Sequence, residues 1–150
     1  MMSRDGVRQF VLGMQQAREA SERAWGLLED NADPRLVVES LRRVYSLIVL
    51  ALLHAAGAGQ TVPAASFAVF EQLFRGTGII DERHFPLIRM AFDLRPKRRS
   101  TAAPRMDRAG AAAMLKGAQA FHLAATAAAE EGLLDKLAGR RRGPAAGGSL

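Results

Sequence analysis

Residues 39–54, running from Glu39 to His54, read ESLRRVYSLIVLALLH. In the first half, Leu41, Val44 and Tyr45 alternate with charged Glu39, Arg42 and Arg43 at helical spacing. From Leu47 to Leu53 every residue is apolar. A helix that is polar on one side lies at a surface, whereas one that is apolar all round is enclosed by others. The stretch therefore predicts a central helix that enters the core past two arginines. Burying arginine without a partner is costly. Arg42 and Arg43 thus mark either ion pairs, with Glu39 or a carboxylate on a neighbouring helix, or the rim of a functional cleft.

The flanking sequence supplies the rest of a bundle. Upstream, Asn31-Ala-Asp-Pro34 separates two helices, with Asp33 as N-cap and Pro34 at the first helical position. Residues 4–30 form the first helix, with Val7, Phe10, Met14, Ala17, Ser21, Ala24 and Leu28 as one stripe. Downstream, the Gly57 to Gly59 turn ends the central helix. A third helix over Pro63 to Arg75 offers Phe67, Phe70, Leu73 and Phe74, and a fourth starts after Asp81 and closes at Arg95-Pro96. Pro86 falls in the first turn of that fourth helix, where its missing N–H is tolerated. Residues 96–106 form a basic linker. Asp107 caps a fifth helix whose face Ala111, Met114, Ala118, Phe121, Ala125 and Ala128 permits close approach, and Gly139 ends it. No strand pattern occurs. The fold expected is all-α, a single bundle of about five helices over residues 1–137, followed by a disordered basic tail over 138–150.

Composition sets limits on function. Cysteine is absent, which excludes disulfides, thiolate zinc sites and cysteine nucleophiles. The longest apolar run, Leu47 to Leu53, is far below the roughly 18 residues of a membrane span. Arg4, Asp5 and Arg8 are not followed by the apolar core of a secretory signal, so a cytoplasmic protein without membrane association is expected. The net charge of +6 is unevenly placed: residues 1–95 hold eleven basic and eleven acidic side chains, and the whole excess lies beyond Arg95. That excess is either a solvated loop and tail or a surface for an acidic partner.

Other chemistry is sparse. His54, His84 and His122 sit on different helices without His-x-x-x-His or Glu-x-x-His spacing, so each reads as a satisfied structural histidine and no metal is expected. Neither glycine turn carries a phosphate-loop lysine, and no cofactor is implied. Trp25 and the phenylalanines at 67, 70, 74, 85 and 92 are read as core. Met14, Ala17, Ser21 and the alanine face of the fifth helix could serve a dimer interface equally well.

Several segments in order carry a resemblance: SLRRVY at Ser40–Tyr45 leading into Ala51–Leu53 and Gly57, FEQLFRGTGII at Phe70–Ile80, AFDLR at Ala91–Arg95 and AQAF at Ala118–Phe121. Over about residues 15–128 the chain resembles the HEPN domain, in particular the small free-standing members encoded beside minimal nucleotidyltransferases. The resemblance implies a helical bundle, a homodimer and a nucleotidyltransferase partner of the toxin–antitoxin kind. Active members of the family are metal-independent ribonucleases that use an arginine followed, after four to six intervening residues, by a histidine on the second helix. There the histidine acts as general acid or base and the arginine stabilises phosphorane charge.

Here Arg42 matches the arginine, but Val49 stands where a histidine would share its face, since seven helical steps return nearly to the starting direction. His54 lies about 18 Å further along the axis. The family's Asp-Tyr pair after the fourth helix is replaced near Arg99-Ser100. The expectation is therefore a catalytically degenerate binding module for nucleotide or RNA, with Arg42, Arg43, Arg95, Lys97, Arg98 and Arg99 as the phosphate-binding set. The alternatives are a toxin or defence ribonuclease that uses Arg42 with His54 or His84 after dimerisation, and a helical protein–protein adaptor.

Overall fold

The computed structural model describes residues 2–94 and 106–148. Its central element is α2 (Pro34–Ala55), and local chemistry fixes both ends of that helix. The Asp33 carboxylate accepts a hydrogen bond from the Arg35 N–H at 2.9 Å, and Pro34 occupies the first turn, where no donor is needed. At the other end Gly57 adopts φ +82°. Its N–H donates to the His54 carbonyl and the Ala58 N–H donates to the Leu53 carbonyl, a Schellman arrangement that satisfies two terminal carbonyls.

α1 (Arg4–Glu29) precedes it, with the Ser3 hydroxyl accepting from the Gly6 N–H at 2.9 Å. It ends the same way as α2, with Asn31 in the left-handed region (φ +53°) and the Ala32 N–H donating to the Leu27 carbonyl. Asparagine tolerates that conformation better than other side chains bearing a Cβ. The two helices form an antiparallel hairpin, the most extensive contact in the molecule. Gly13 lets them approach closely: a Cβ there would lie 2.9 Å from the Ala51 Cβ.

Two short helices cover the other side of α2. α3 (Ser66–Phe74) follows a 3-10 turn at Pro63–Ala65, and α4 (Phe85–Asp93) follows another at Glu82–His84. The Asp81 carboxylate caps the second turn through the Arg83 N–H at 2.9 Å. Pro86 lies in the first turn of α4, as the sequence predicts. α5 (Arg108–Glu130) starts at Asp107, whose carboxylate accepts from the Gly110 N–H, and it packs on both α1 and α2. α6 (Leu133–Gly148) completes an all-α bundle of six helices, with no strand among the described residues.

That sixth helix corrects the sequence expectation. The break falls at Gly132 (φ +74°) and not at Gly139, which lies inside α6. Leu134 is fully buried, Leu137 and Ala138 are buried, and the Met2 N–H donates to the Asp135 carboxylate at 2.8 Å. The run Glu130-Glu131-Gly132 looks helical up to the glycine, and only the packing of Leu134 and Leu137 onto the bundle turns it into a joint. The backbone stays helical through Gly148, over residues read as a disordered tail.

The core follows α2. Tyr45, Ile48, Val49, Leu52 and Leu53 are fully buried, as are Phe70, Phe74, Phe121 and Leu134. Phe70 stacks on Phe74 at 5.0 Å and on Phe85 at 5.5 Å, and meets Phe121 edge-on at 6.0 Å; Phe121 in turn stacks on Tyr45 at 6.2 Å. Trp25, Phe67 and Phe92 are only partly buried. On α1 the buried stripe contains Gly6 and Ala20, while Val7 is exposed and Ser21 only half-buried. The stripe is thus rotated slightly from the one read in the sequence, because α1 faces α2 more than α5.

Candidate functional site

The two arginines at the entrance of α2 part company. Val38, Arg42, Tyr45 and Val49 share one helical row. Val38 lines a cavity of about 260 Å³ together with Met106, Asp107 and Arg108, where α5 begins. Two turns further along, the Tyr45 hydroxyl donates to the Met114 carbonyl of α5 at 2.8 Å. Arg42, between them and half-buried, is therefore on the α5 side of α2. Arg43, about 100° round the helix, is exposed and lines a groove of about 650 Å³ between α1 and α2. Glu19 and Arg23 of α1 and Glu39 of α2 border the same groove, with Leu27 and Leu36 as its apolar part. A single cleft holding Arg42 and Arg43 together is not formed.

Nor do the expected ion pairs form. Among the described residues the ion pairs are Arg75 with Glu71 and Glu82, and Arg89 with Glu71, at 3.1–3.7 Å. None involves Arg42, Arg43 or Glu39. Arg95, Lys97, Arg98 and Arg99 lie outside the described residues. The described residues resume at Met106, beside the cavity that Val38 lines.

The histidines differ from one another. His122 Nε2 donates to the Met14 carbonyl of α1 at 3.0 Å, the satisfied structural role expected of it. His54 is half-buried in the last turn of α2, and Gly59 folds so tightly over it that a Cβ there would collide with the imidazole. His84 is 4% exposed, and its Nε2 is buried without a hydrogen-bond partner, so it is not the satisfied histidine expected. Burial, and then the neighbouring Arg83, lower its pKa against the opposing pull of Asp81.

Val49, seven residues beyond Arg42 on the same helical face, is fully buried in the core. Tyr45 cannot act as a base in its place, because burial pushes its pKa well above the ordinary phenol value. Gly117 leaves room for its hydroxyl: a Cβ there would lie 2.9 Å from the oxygen. No cluster of three metal-ligating side chains occurs among the described residues. No helix among them is long and apolar enough to cross a membrane.

Two features escaped the sequence reading. Arg108 Nη1 donates to the Asn31 Oδ1 at 2.8 Å, tying the start of α5 to the turn between α1 and α2. Nothing in the spacing of those residues, 77 apart, announces the contact. The α1–α2 groove is the other, although Glu19/Arg23 and Glu39/Arg43 share the four-residue spacing that signals a charged helix face. The faces offered for a dimer are also already in use: Met14, Ala17 and the alanine face of α5 are buried within the chain. No protein-family model, curated protein or solved structure matches this chain.

Proposed function

We propose that the chain is a HEPN-like helical module that binds and does not cleave: a homodimer that holds a phosphate of RNA or nucleotide through Arg42 and the basic segment Arg95 to Arg99, and that associates with a nucleotidyltransferase. The observation that carries this reading is the α5 side of α2, where Arg42 is half-buried with no carboxylate partner among the described residues while the general-base position one face-repeat along is a fully buried valine. A guanidinium at that depth is favoured by an anion, which would remove the penalty of its partial desolvation. Arg43 belongs to the α1–α2 groove and is dropped from the phosphate set.

The ribonuclease alternative has less behind it. His84 is enclosed by the aromatic core, and His54 is at the far end of α2 from Arg42. The adaptor alternative is served by the α1–α2 groove, whose mixed charges suit a protein surface better than a nucleic acid.

Two assays on the same preparations separate these readings. Incubation with total RNA in chelator should give no cleavage by the wild type or by Arg42→Ala, and cleavage by the wild type alone would establish the ribonuclease. Anisotropy with a fluorescent single-stranded oligonucleotide should give an affinity that falls with salt. When Lys97, Arg98 and Arg99 are neutralised, the slope of log K against log salt should lessen by roughly 0.7 for each phosphate that no longer meets a cation. No binding at low salt would leave the adaptor.

A further inference from the structure

His84 ends the 3-10 turn that leads into α4, and its ring lies 6.0 Å from that of Phe121 on α5. Phe121 in turn meets Tyr45 and Phe70, and Phe70 stacks on Phe85, so the imidazole sits at the edge of the aromatic core. Its buried Nε2 has no hydrogen-bond partner. Native interiors seldom leave a polar atom so, and the exceptions call for an explanation. A neutral imidazole can tolerate the position, whereas an imidazolium with a buried, unpartnered N–H cannot.

The chain on its N-terminal side turns through two glycines in the left-handed region. Gly76 and Gly78 take φ +80° and +76°, both are exposed, and nothing stands within 4 Å of where a Cβ would be. Beyond them the segment from Ile79 to Asp93 is held by Ile80, Phe85 and Ile88 in the core and by the surface ion pairs of Arg89 with Glu71 and of Glu82 with Arg75.

We propose that His84 is a proton-operated latch: neutral, it seats α4 and its leading turn on Phe121, and protonated, it withdraws and frees residues 79–93, baring the Phe70, Phe85 and Phe121 surface.

The charges around it set the sign. On its own turn Arg83 opposes the cation and Asp81 favours it, while Glu82 is engaged with Arg75, whose guanidinium lies 5.9 Å from the Phe85 ring centroid. From α3 and α5 the groups that meet this cluster are Phe70, Phe74 and Phe121, none of which titrates, and from α2 it is Tyr45, which stays neutral. Burial and Arg83 prevail, and the neutral form is favoured while the latch is shut. Above the ordinary imidazole value of about 6.5 both states are neutral and the latch stays closed. As pH falls below that value the open state takes the proton first, so closure weakens until pH reaches the lowered value of the closed state.

Amide hydrogen exchange of the full chain, corrected for intrinsic rates, tests this at about pH 7.5 and 5.5 in the wild type, His84→Leu and His84→Gln. Protection over residues 79–93 should drop in the wild type by a factor whose ceiling is about tenfold, the limit linkage sets one pH unit below the ordinary imidazole value. Protection in α1 and α2 should hold, and both variants should be flat with pH, the glutamine variant serving if the leucine one does not fold. Three results would overturn the proposal: a pH-independent wild type, an equal loss in every helix, or the same pH dependence in both variants. An NMR titration in which the His84 imidazole ionises at its ordinary value with residues 79–93 still protected would overturn it as well.

Discussion

Tyr45 shows how much one buried polar group settles. Its ring fills the space between α2 and α5, its hydroxyl satisfies the Met114 carbonyl, and Gly117 exists at that position to admit it. A net hydrogen bond of this kind contributes about 1 kcal/mol. The same burial makes it a reporter, since the chain has a single tyrosine. Ionisation is resisted in the folded state and not in the unfolded one, so the contribution of Tyr45 to stability is constant below about pH 10, the ordinary phenol value, and is lost as pH rises above it. Phenolate absorbance should therefore appear only together with loss of helical circular dichroism at alkaline pH. A phenolate signal that precedes unfolding would contradict the buried geometry. The sequence announced an apolar role for Tyr45 through its place in the stripe, but the acceptor 69 residues away was not legible.

Among the elements, the contrast between α2 and α6 is instructive. α2 could be read almost to the residue, because an Asp-Pro start, a glycine stop and an apolar stripe are all local signals. α3 and α4 were nearly as clear; only their 3-10 entrances were missed, and the Asp81 cap and Pro86 position held. The joint between α5 and α6 was misplaced because Gly132 and Gly139 are equivalent as sequence, and what distinguishes them is which apolar residues find a core to enter. Leu134 does so completely. Burying such a side chain stabilises by about 2 kcal/mol. Ending the chain at Gly132 should therefore lower the urea midpoint clearly, whereas ending it after Arg140 should leave it within error, as followed by circular dichroism. Equal stability of the two truncations would show that α6 does not belong to the bundle.

For the whole molecule, the question is which faces remain for partners once the six helices have packed. The stripe containing Met14 and Ala17 and the alanine face of α5 are occupied inside the chain, His122 on α5 donating to the Met14 carbonyl at 3.0 Å. Met14→Glu should therefore unfold the protein, with loss of helical signal, and not yield a folded monomer. Light scattering beside circular dichroism distinguishes the two outcomes, and a folded monomer would assign that face to a dimer. Among the described residues, the α1–α2 groove offers a concave surface with balanced charges, and Arg42 offers a half-buried cation without a carboxylate. Protein and phosphate partners can thus be sought on different sides of α2.

By itself the sequence determined the helical class, the caps and turns, and the central place of α2, because these depend on residues within a turn or two of one another. It also placed a valine seven residues beyond Arg42, on the same face of the helix. The tertiary structure alone decided which neighbours Arg42 and Arg43 face, that Arg108 reaches Asn31, that α5 gives way to α6 at Gly132, and that His84 is enclosed without a partner. Each of these depends on how a helix is rotated against neighbours distant in the chain. That rotation is set by the summed fit of many side chains, and no local spacing records it.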